Sequence, residues 1–480
     1  MKDQNYIKVK DFIVLLLIIS VGAILRGYKI LDESLWLDEL ITVNGAGSHV
    51  KLIDIYNVLH FWDQSPPLFD VLIHFYFKVF GMNDFTARLF PLLIGLFGLL
   101  SIYFSTLIMI PSRSIALMAS IIVCFSTYHI YFSREVRPYI LAFVFASISI
   151  STFYKLLTSN KTVYHIFYSI CTSLLLYTSY TGVFIYFAQI GFLFVWSFAF
   201  HKLDFFDFFK TKILWIVLVI ILYLPWIYPF IRVMTMWNEK NGIPTFDFFI
   251  HMWGNFFGFN FTISLISIVV IFTICLHGIF ILKSKLSMYL FFMLFISFGG
   301  MYVKSLIGRN VLSGFAYSYQ MVLFPISIWL VLSIVVKLKK ELRYIIIMNY
   351  CGFLLYLYLF FGSGLHKKAS QDYRGLVVFL KSIIQKNDIL VVRRIWDYNY
   401  YNLQNEFIPK GHNLDYYYLN NQLNSDLIKN EKQLILVQEY DDPKIDKFKN
   451  ELIQEGFNVN LIKRHSIFTI YKFNNPESGM

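Results

Sequence analysis

Two adjacent carboxylates, Asp38 and Glu39, stand in Ser34-Leu35-Trp36-Leu37-Asp38-Glu39, just after the first long apolar run of the chain. In a polar loop such a pair would mean little. Close to an apolar surface, among Leu and Trp, one of them becomes a usable general base. The same two residues would equally serve as acids at the start of a helix beside the membrane, where negative charge is favoured. A second group is Ser133-Arg134-Glu135-Val136-Arg137-Pro138-Tyr139, between two apolar runs. Arginine carries a planar fork of donors that fits a phosphate. Glu135 would orient one of these arginines, contribute to a metal site, or simply close a tight turn in a local Arg–Glu pair. The third group is Trp62-Asp63-Gln64-Ser65-Pro66-Pro67-Leu68, whose double proline forces an abrupt entry into the helix that follows. Arg88, Arg232, Lys240, Lys304 and Arg309 are further cations at the ends of apolar runs. Lys304 and Arg309 follow a run directly, at the depth of a lipid phosphate. Interfacial snorkelling accounts for each of them equally well.

The elements that position these residues are membrane helices. Of the 480 residues, 57% are hydrophobic and only 15% charged, against roughly a quarter charged in soluble proteins. The mean hydropathy is +0.58. A soluble fold could not hide so much apolar surface. Aromatic residues reach 19%, which suits helices ending in interfacial belts. A span needs about 20 apolar residues. Eleven segments qualify: 11–30, 86–110, 115–132, 138–157, 163–181, 183–200, 213–231, 261–282, 286–303, 318–336 and 344–362. Residues 67–81 are apolar but short and carry Asp70, His74 and Lys78. They read as an interfacial or re-entrant helix.

Topology supports that choice. With the N-terminus in the cytoplasm and 67–81 not spanning, the inner loops hold Arg113, then Lys155 and Lys161, then Lys202, Lys210 and Lys212. Lys283 and Lys285 follow, then Lys337, Lys339, Lys340 and Arg343. Every inner loop is basic, as the positive-inside rule expects. The net charge of +12 is thereby explained by topology, and no nucleic-acid partner is expected. The long first outer loop, 31–85, then holds Asp38, Glu39 and Asp63. Four cysteines lie singly within apolar runs, so neither a disulfide framework nor a zinc site is indicated. After residue 364 the chain turns polar. It reads as helix 372–385, strands 388–393 and 433–438, helix 444–455, and strands 458–463 and 467–473. The expected domains are therefore a membrane domain, 1–363, and an outward-facing soluble α/β domain, 364–480.

Taken in order, these motifs resemble the GT-C class of membrane glycosyltransferases, in particular the bacterial relatives of protein O-mannosyltransferases and of the lipid A aminoarabinose transferase. The resemblance rests on Leu37-Asp38-Glu39, on Asp63 with Pro66-Pro67-Leu68, and on Phe85-Thr86-Ala87-Arg88-Leu89. It also rests on Arg134-Glu135-Val136-Arg137-Pro138-Tyr139, Thr178-Ser179-Tyr180 and Leu224-Pro225-Trp226. In the tail, Asp372-Tyr373-Arg374 and Tyr400-Tyr401 are similar to those of the family's outer domain. Two departures stand out: Ser65 where many relatives have His, and Ser318-Tyr319 where many have Arg-Tyr.

The resemblance implies a polytopic α-helical GT-C-like fold with about 11 spans and a small C-terminal α/β domain. It implies inverting transfer of a sugar from a polyprenyl-phosphate donor to an acceptor hydroxyl of a glycan, lipid or protein, at the outer face of a bacterial inner membrane. Asp38 and Glu39 would be catalytic. Arg134, Arg137, Lys304, Arg309 and Tyr319 would bind the donor phosphate, with Asp63, Arg88, Glu135 and Tyr139 supporting. The residues leave a metal open: no cofactor is called for by a motif, and if a divalent cation, Mg or Mn, takes part, Asp38, Glu39, Asp63 and Glu135 would hold it. The competing reading is a transporter or flippase of lipid-linked sugars. The few charges inside the spans and the lack of a visible repeat count against it. A receptor reading leaves the Asp38 and Arg134–Arg137 groups unexplained.

Overall fold

The apolar runs fold as helices because a backbone in lipid must satisfy its own hydrogen bonds. The computed structural model describes residues 9–58, 65–201, 203–236, 245, 247–280, 284–308, 312, 320–337, 339–361, 371–384, 389–392, 411–413, 433–439, 443–454, 456–465 and 468–474. The chain divides into two compact units: Met1–Ile30 with Ser48–Leu365, and Leu31–Gly47 with His366–Met480.

The first unit is helical. It contains α1 (Val9–Gly27), then α2 (Leu37–Gly45) leaves it for the second unit, and α3 (Leu52–Val58) resumes it. α4 (Leu68–Phe80) has 13 residues, about 20 Å of helix, too short for a hydrocarbon core of about 30 Å. α5 (Asp84–Met109), α6 (Arg113–Phe125), α7 (Thr127–Phe132), α8 (Tyr139–Thr158), α9 (Thr162–Leu176) and α10 (Gly182–Phe200) follow. Then come α11 (Phe205–Tyr223), α12 (Ile227–Met236), α13 (Asp247–Phe257), α14 (Phe261–Phe280), α15 (Lys285–Ile307), α16 (Phe324–Val335) and α17 (Lys340–Phe361). Among the described residues, seven helices are long and apolar enough to cross a membrane: α5, α8, α10, the α11–α12 stretch, α14, α15 and α17. Shorter apolar helices occupy 113–125, 162–176 and 320–335, and α1 fills the remaining expected span. The span expected at 115–132 is broken at Ser126, which ends α6 and caps α7 by accepting a hydrogen bond from His129 N.

α5 is the hub. It packs against α6, α8, α1 and α4. Its glycines make this close approach possible. A Cβ on Gly95 would lie 2.6 Å from Ser133 Cβ, and one on Gly98 would lie 2.9 Å from His129 Nε2. Small residues serve membrane helices in this way, by letting neighbours approach where no water drives them together.

The basic loops gather at one end of this unit. Arg113 pairs with Asp11 at the start of α1 (3.5 Å), and Tyr344 at the start of α17 bonds Ser114 (3.5 Å). Lys337 Nζ stands beside Gly278 near the end of α14. Lys285 lies over Phe200 at the end of α10, 4.2 Å from the ring centroid. Lys212 donates to Asn160 between α8 and α9 (3.2 Å).

The second unit holds α2, α18 (Tyr373–Ile383), β1 (Ile389–Val392), β2 (Gly411–Asn413), β3 (Gln433–Glu439), α19 (Pro443–Gln454), β4 (Asn458–His465) and β5 (Phe468–Asn474). The sheet order is β2-β1-β3-β5-β4. β1 runs parallel to β2 and β3, and β5 is antiparallel to β3 and β4. The two C-terminal helices and four of these strands fall where the sequence places them. The three-residue β2 is too short to leave a periodic signal.

The glycine contacts give a test. Gly95→Ala drives a methyl into Ser133, and overpacking of this kind costs about 1–3 kcal/mol. Gly299→Ala, in α15 with nothing within 4 Å, gains helix propensity, roughly 0.5–1 kcal/mol. Thermal unfolding of the detergent-solubilised variants should move in opposite directions. Equal shifts would contradict the packing described.

Candidate active site

The loop between α7 and α8 is built on a buried guanidinium. Arg26, on the last turn of α1, is 0% exposed. Arginine has five N–H donors and no acceptor, and each of the five is engaged. Nη1 donates to Gly22 O (3.1 Å) and Cys124 O (3.2 Å). Nη2 donates to Val123 O (3.1 Å) and to His129 Nδ1 (2.8 Å). Nε donates to Ser133 Oγ (3.2 Å). Because Arg26 can only donate, His129 Nδ1 is the acceptor and the proton of its neutral ring sits on Nε2. Ser133 Oγ donates in turn to His129 O (2.6 Å). Val123 and Cys124 belong to the last turn of α6, whose carbonyls have no intrahelical partner. The break at Ser126 thus creates the acceptors that the cation needs.

Arg134, Glu135, Val136 and Arg137 form the turn beyond Ser133. Arg134 N bonds Tyr131 O (3.0 Å) and Arg137 N bonds Glu135 O (2.7 Å). Pro138 then leads into α8 with its fixed φ, and its carbonyl accepts Ala142 N (3.0 Å). Arg134 Nη2 donates to Lys29 O just past α1. Arg88, on the second turn of α5, donates from Nη1 to Arg134 O (2.6 Å). α5 begins with a reciprocal cap: Asn83 Oδ1 accepts Thr86 N and Thr86 Oγ1 accepts Asn83 N, both at 3.0 Å. Arg88, Glu135 and Arg137 are only 4–6% exposed. Arg88, Arg134, Glu135 and Arg137 thus gather at this end of the unit. Tyr139, half-buried, opens α8 and packs on Phe132 (5.5 Å).

Two later motifs also meet. Trp226 Nε1 donates to Tyr180 OH (3.2 Å), which joins Leu224-Pro225-Trp226 to Thr178-Ser179-Tyr180. Tyr177 O accepts Leu68 N (3.0 Å), tying in the helix after the double proline. Lys304 is half-buried on the last turn of α15.

Asp38 and Glu39 belong to the second unit. Glu39 is 1% exposed, and its Oε2 accepts Trp36 N (3.1 Å) at the start of α2. It therefore acts as a helix cap. Asp38, half-buried, is the second residue of α2. The segment before α2 is clasped by the tail: Arg374 donates from Nη1 to Leu31 O (2.8 Å), from Nη2 to Glu33 O (3.1 Å) and from its backbone N to Ser34 Oγ (3.2 Å). Leu37 N donates to Gln371 Oε1 (3.0 Å). Asp372 Oδ1 caps α18 by accepting Gly375 N (2.9 Å), and Tyr373 packs edge-on against Phe468 (5.0 Å). Each residue of Asp372-Tyr373-Arg374 thus has its own task. This clasp is why residues 31–47 join the tail rather than the membrane unit expected to contain them.

Asp63, Arg309, Tyr319 and the Tyr400-Tyr401 pair lie outside the described residues. Among the described residues, no group of three or more His, Cys, Asp or Glu is arranged to hold a metal ion; Glu135 stands in one unit and Asp38 and Glu39 in the other. Sequence reading missed Arg26, His129 and the two glycines beneath them. The one signal was an arginine near the end of the first apolar run.

Replacing Arg26 tests this framework. Arg26→Lys cannot reach five acceptors, and a broken buried charge network costs about 3–5 kcal/mol. The thermal midpoint of the purified variant should fall by several degrees. An unchanged midpoint would mean that Arg26 does not hold the loop.

Residues 64–228 match the family described as dolichyl-phosphate-mannose-protein mannosyltransferase. No curated protein matches the chain in sequence. In structure the chain is similar to ArnT from Cupriavidus metallidurans bound to undecaprenyl phosphate, at 10% identity and a TM-score of 0.62 over 97% of each chain. The apo state of that protein aligns at 10% identity and a TM-score of 0.60, again over 97% of each chain. An oligosaccharyltransferase from Archaeoglobus fulgidus, in complex with Zn and sulfate, aligns at 12% identity and a TM-score of 0.50, over 88% of this chain and 67% of that one. By its fold and by the family match over residues 64–228, this integral membrane protein resembles the GT-C membrane glycosyltransferases, ArnT among them.

Proposed function

We propose that the protein transfers a sugar from a polyprenyl-phosphate donor to an acceptor hydroxyl at the outer face of the membrane. The observation that carries this reading is the buried, arginine-rich loop at the end of the helical unit opposite its basic loops. Arg88 and Arg137 are almost fully buried there and Arg134 is half-buried, and guanidinium forks gathered in this way suit the oxygens of an anion. A lipid phosphate at the membrane surface is such an anion. The fold's likeness to ArnT, whose crystal structure holds undecaprenyl phosphate, supports the same donor class.

In this mechanism the acceptor oxygen attacks the anomeric carbon as the carbon–oxygen bond to phosphate breaks. The bonding pair leaves with the phosphate, and the reaction inverts the anomeric centre. Arg134 and Arg137, with Arg88 behind them and Lys304, Arg309 and Tyr319 as further donor contacts, stabilise the charge that grows on the leaving phosphate. Phosphate leaves readily, so no covalent enzyme intermediate is required. Asp38 takes the acceptor proton. Glu39, engaged with Trp36 N, sets the start of α2 and thereby the position of Asp38. Asp63 and Tyr139 support the acceptor and donor respectively. Glu135 orients the arginines. The acceptor is a glycan, lipid or protein hydroxyl.

Asp38→Asn should lower transfer by about 10²–10⁴-fold, the usual contribution of a general base, with normal membrane insertion. Turnover at the wild-type rate would remove Asp38 from the mechanism. Orientation has its own test. The native cysteines Cys124, Cys171, Cys275 and Cys351 are all buried, so an added Ser382→Cys on the exposed face of α18 reports alone. A membrane-impermeant maleimide applied to intact spheroplasts should label it. Labelling only after lysis would place the tail inside.

A further inference from the structure

Gln320 is 0% exposed, yet among the described residues neither its Oε1 nor its Nε2 has a hydrogen-bond partner. A carboxamide offers two donors and two acceptor positions, and burying it with none of them met is strongly unfavourable. The same holds for the indole N–H of Trp253, a residue also 0% exposed. Phe324, four residues after Gln320, and Phe257, four residues after Trp253, belong to one aromatic cluster. The Phe324 ring lies 5.0 Å from Phe256, 5.5 Å from Tyr128, 5.8 Å from Phe143 and 6.3 Å from Phe257. Trp253 packs on Phe257 at 4.9 Å, one helical turn away on α13.

The depth of Gln320 follows from the direction of α16. Phe143 lies level with Gly98 and His129, since its ring is 4.7 Å from His129 and 3.4 Å from a Cβ on Gly98. From Phe324, beside Phe143, α16 runs away from the arginine loop: Trp329 Nε1 bonds Thr106 Oγ1 (2.9 Å), eight residues further along α5 than Gly98. Going backwards from Phe324, the 3₁₀ turn 320–323 therefore rises toward the loop, by about 2 Å per residue. The same step back along α8 from Phe143 reaches Tyr139, the first residue after Pro138. Gln320 thus lies at the depth of Tyr139, just inside the Arg134–Arg137 turn.

We infer that Gln320 and the Trp253 N–H form a recognition wall for the hydroxyls of the sugar carried by the donor, an inference that rests on the donor class proposed above. The chemistry selects the sugar from the other parts of such a donor. A hydroxyl both donates and accepts, as the two ends of the amide require. An ionised phosphate only accepts, and the polyprenyl chain does neither. A site built to hydrogen-bond a hydroxyl also discriminates sharply against ligands that lack it, so Gln320 sets sugar specificity while the arginines hold the phosphate.

The test compares two probes on the full-length protein reconstituted in phosphatidylcholine vesicles. One is bare undecaprenyl phosphate. The other is undecaprenyl phosphate bearing a sugar, taken from a panel of hexoses and pentoses. The wild type should bind at least one sugar-bearing lipid more tightly than the bare lipid. Gln320→Met, which removes both polar ends at similar volume, should leave bare-lipid affinity unchanged and weaken the sugar-bearing lipid about tenfold. Its thermal midpoint without lipid should rise, because an unsatisfied amide has been removed. Trp253→Phe keeps the ring packing and deletes only the N–H; it should act in the same direction and decides the matter if Gln320→Met does not fold. Variants that keep the wild-type sugar preference, or that weaken both lipids alike, overturn the inference. A wild type that binds both lipids equally overturns it while leaving the donor class standing. A wild type that binds neither lipid overturns the donor class and this inference with it.

Discussion

A single guanidinium in an apolar bundle imposes the strictest condition on this structure. Arg26 can only donate, so five acceptors must converge on it inside the protein. Two are carbonyls left over at the end of α6, and the partial negative charge of a helix C-terminus favours a cation there. The break at Ser126 ends α6 in time to expose them. His129 of α7 and Ser133, which caps its end, supply two more, and Gly22 of α1 supplies the fifth. α7 can come close enough only because α5 presents Gly95 and Gly98. One charge thus fixes the ends of α1 and α6, the tautomer of His129 and the start of the Arg134–Arg137 turn.

The two ends of the helical unit then differ in kind. One end gathers Arg113, Lys212, Lys285 and Lys337, each leaning on a neighbouring helix end or ring. These are topology signals with modest local partners. The other end holds Arg88 and Arg137, almost fully buried, and the half-buried Arg134; Arg88 and Arg134 are tied to backbone carbonyls. Charges of the first kind need only water nearby. Charges of the second kind make sense where an anion arrives, which is why the loop after α7 carries the proposed chemistry.

The second unit explains a motif that composition alone leaves opaque. Asp372-Tyr373-Arg374 caps a helix, packs on the sheet and grips the backbone before α2. The tail is therefore more than an appended domain: it holds the helix that bears Asp38. Of the two adjacent carboxylates, Glu39 is occupied with the backbone of Trp36.

Hydropathy, the basic loops and the turn residues were enough to establish a polytopic helical membrane protein, the short helix after Pro66-Pro67, and the helix and strand order of the tail. These are local properties, summed over windows of about 20 residues or read from a period of two or 3.6. The motifs around Asp38, Arg88 and Arg134–Arg137 were also legible, because unusual charges stand out against an apolar background. Partners across the chain were not legible. Arg26 finds Ser133 across 107 positions and Arg374 finds Ser34 across 340, and no local pattern encodes such pairings. Arg26 passed unremarked inside the first expected span and Gln320 inside the span expected at 318–336, while Glu39 read as half of a catalytic pair. Only the folded chain decided which of these charges and amides are consumed by the scaffold, because that depends on which acceptors the packing brings within 3 Å or so.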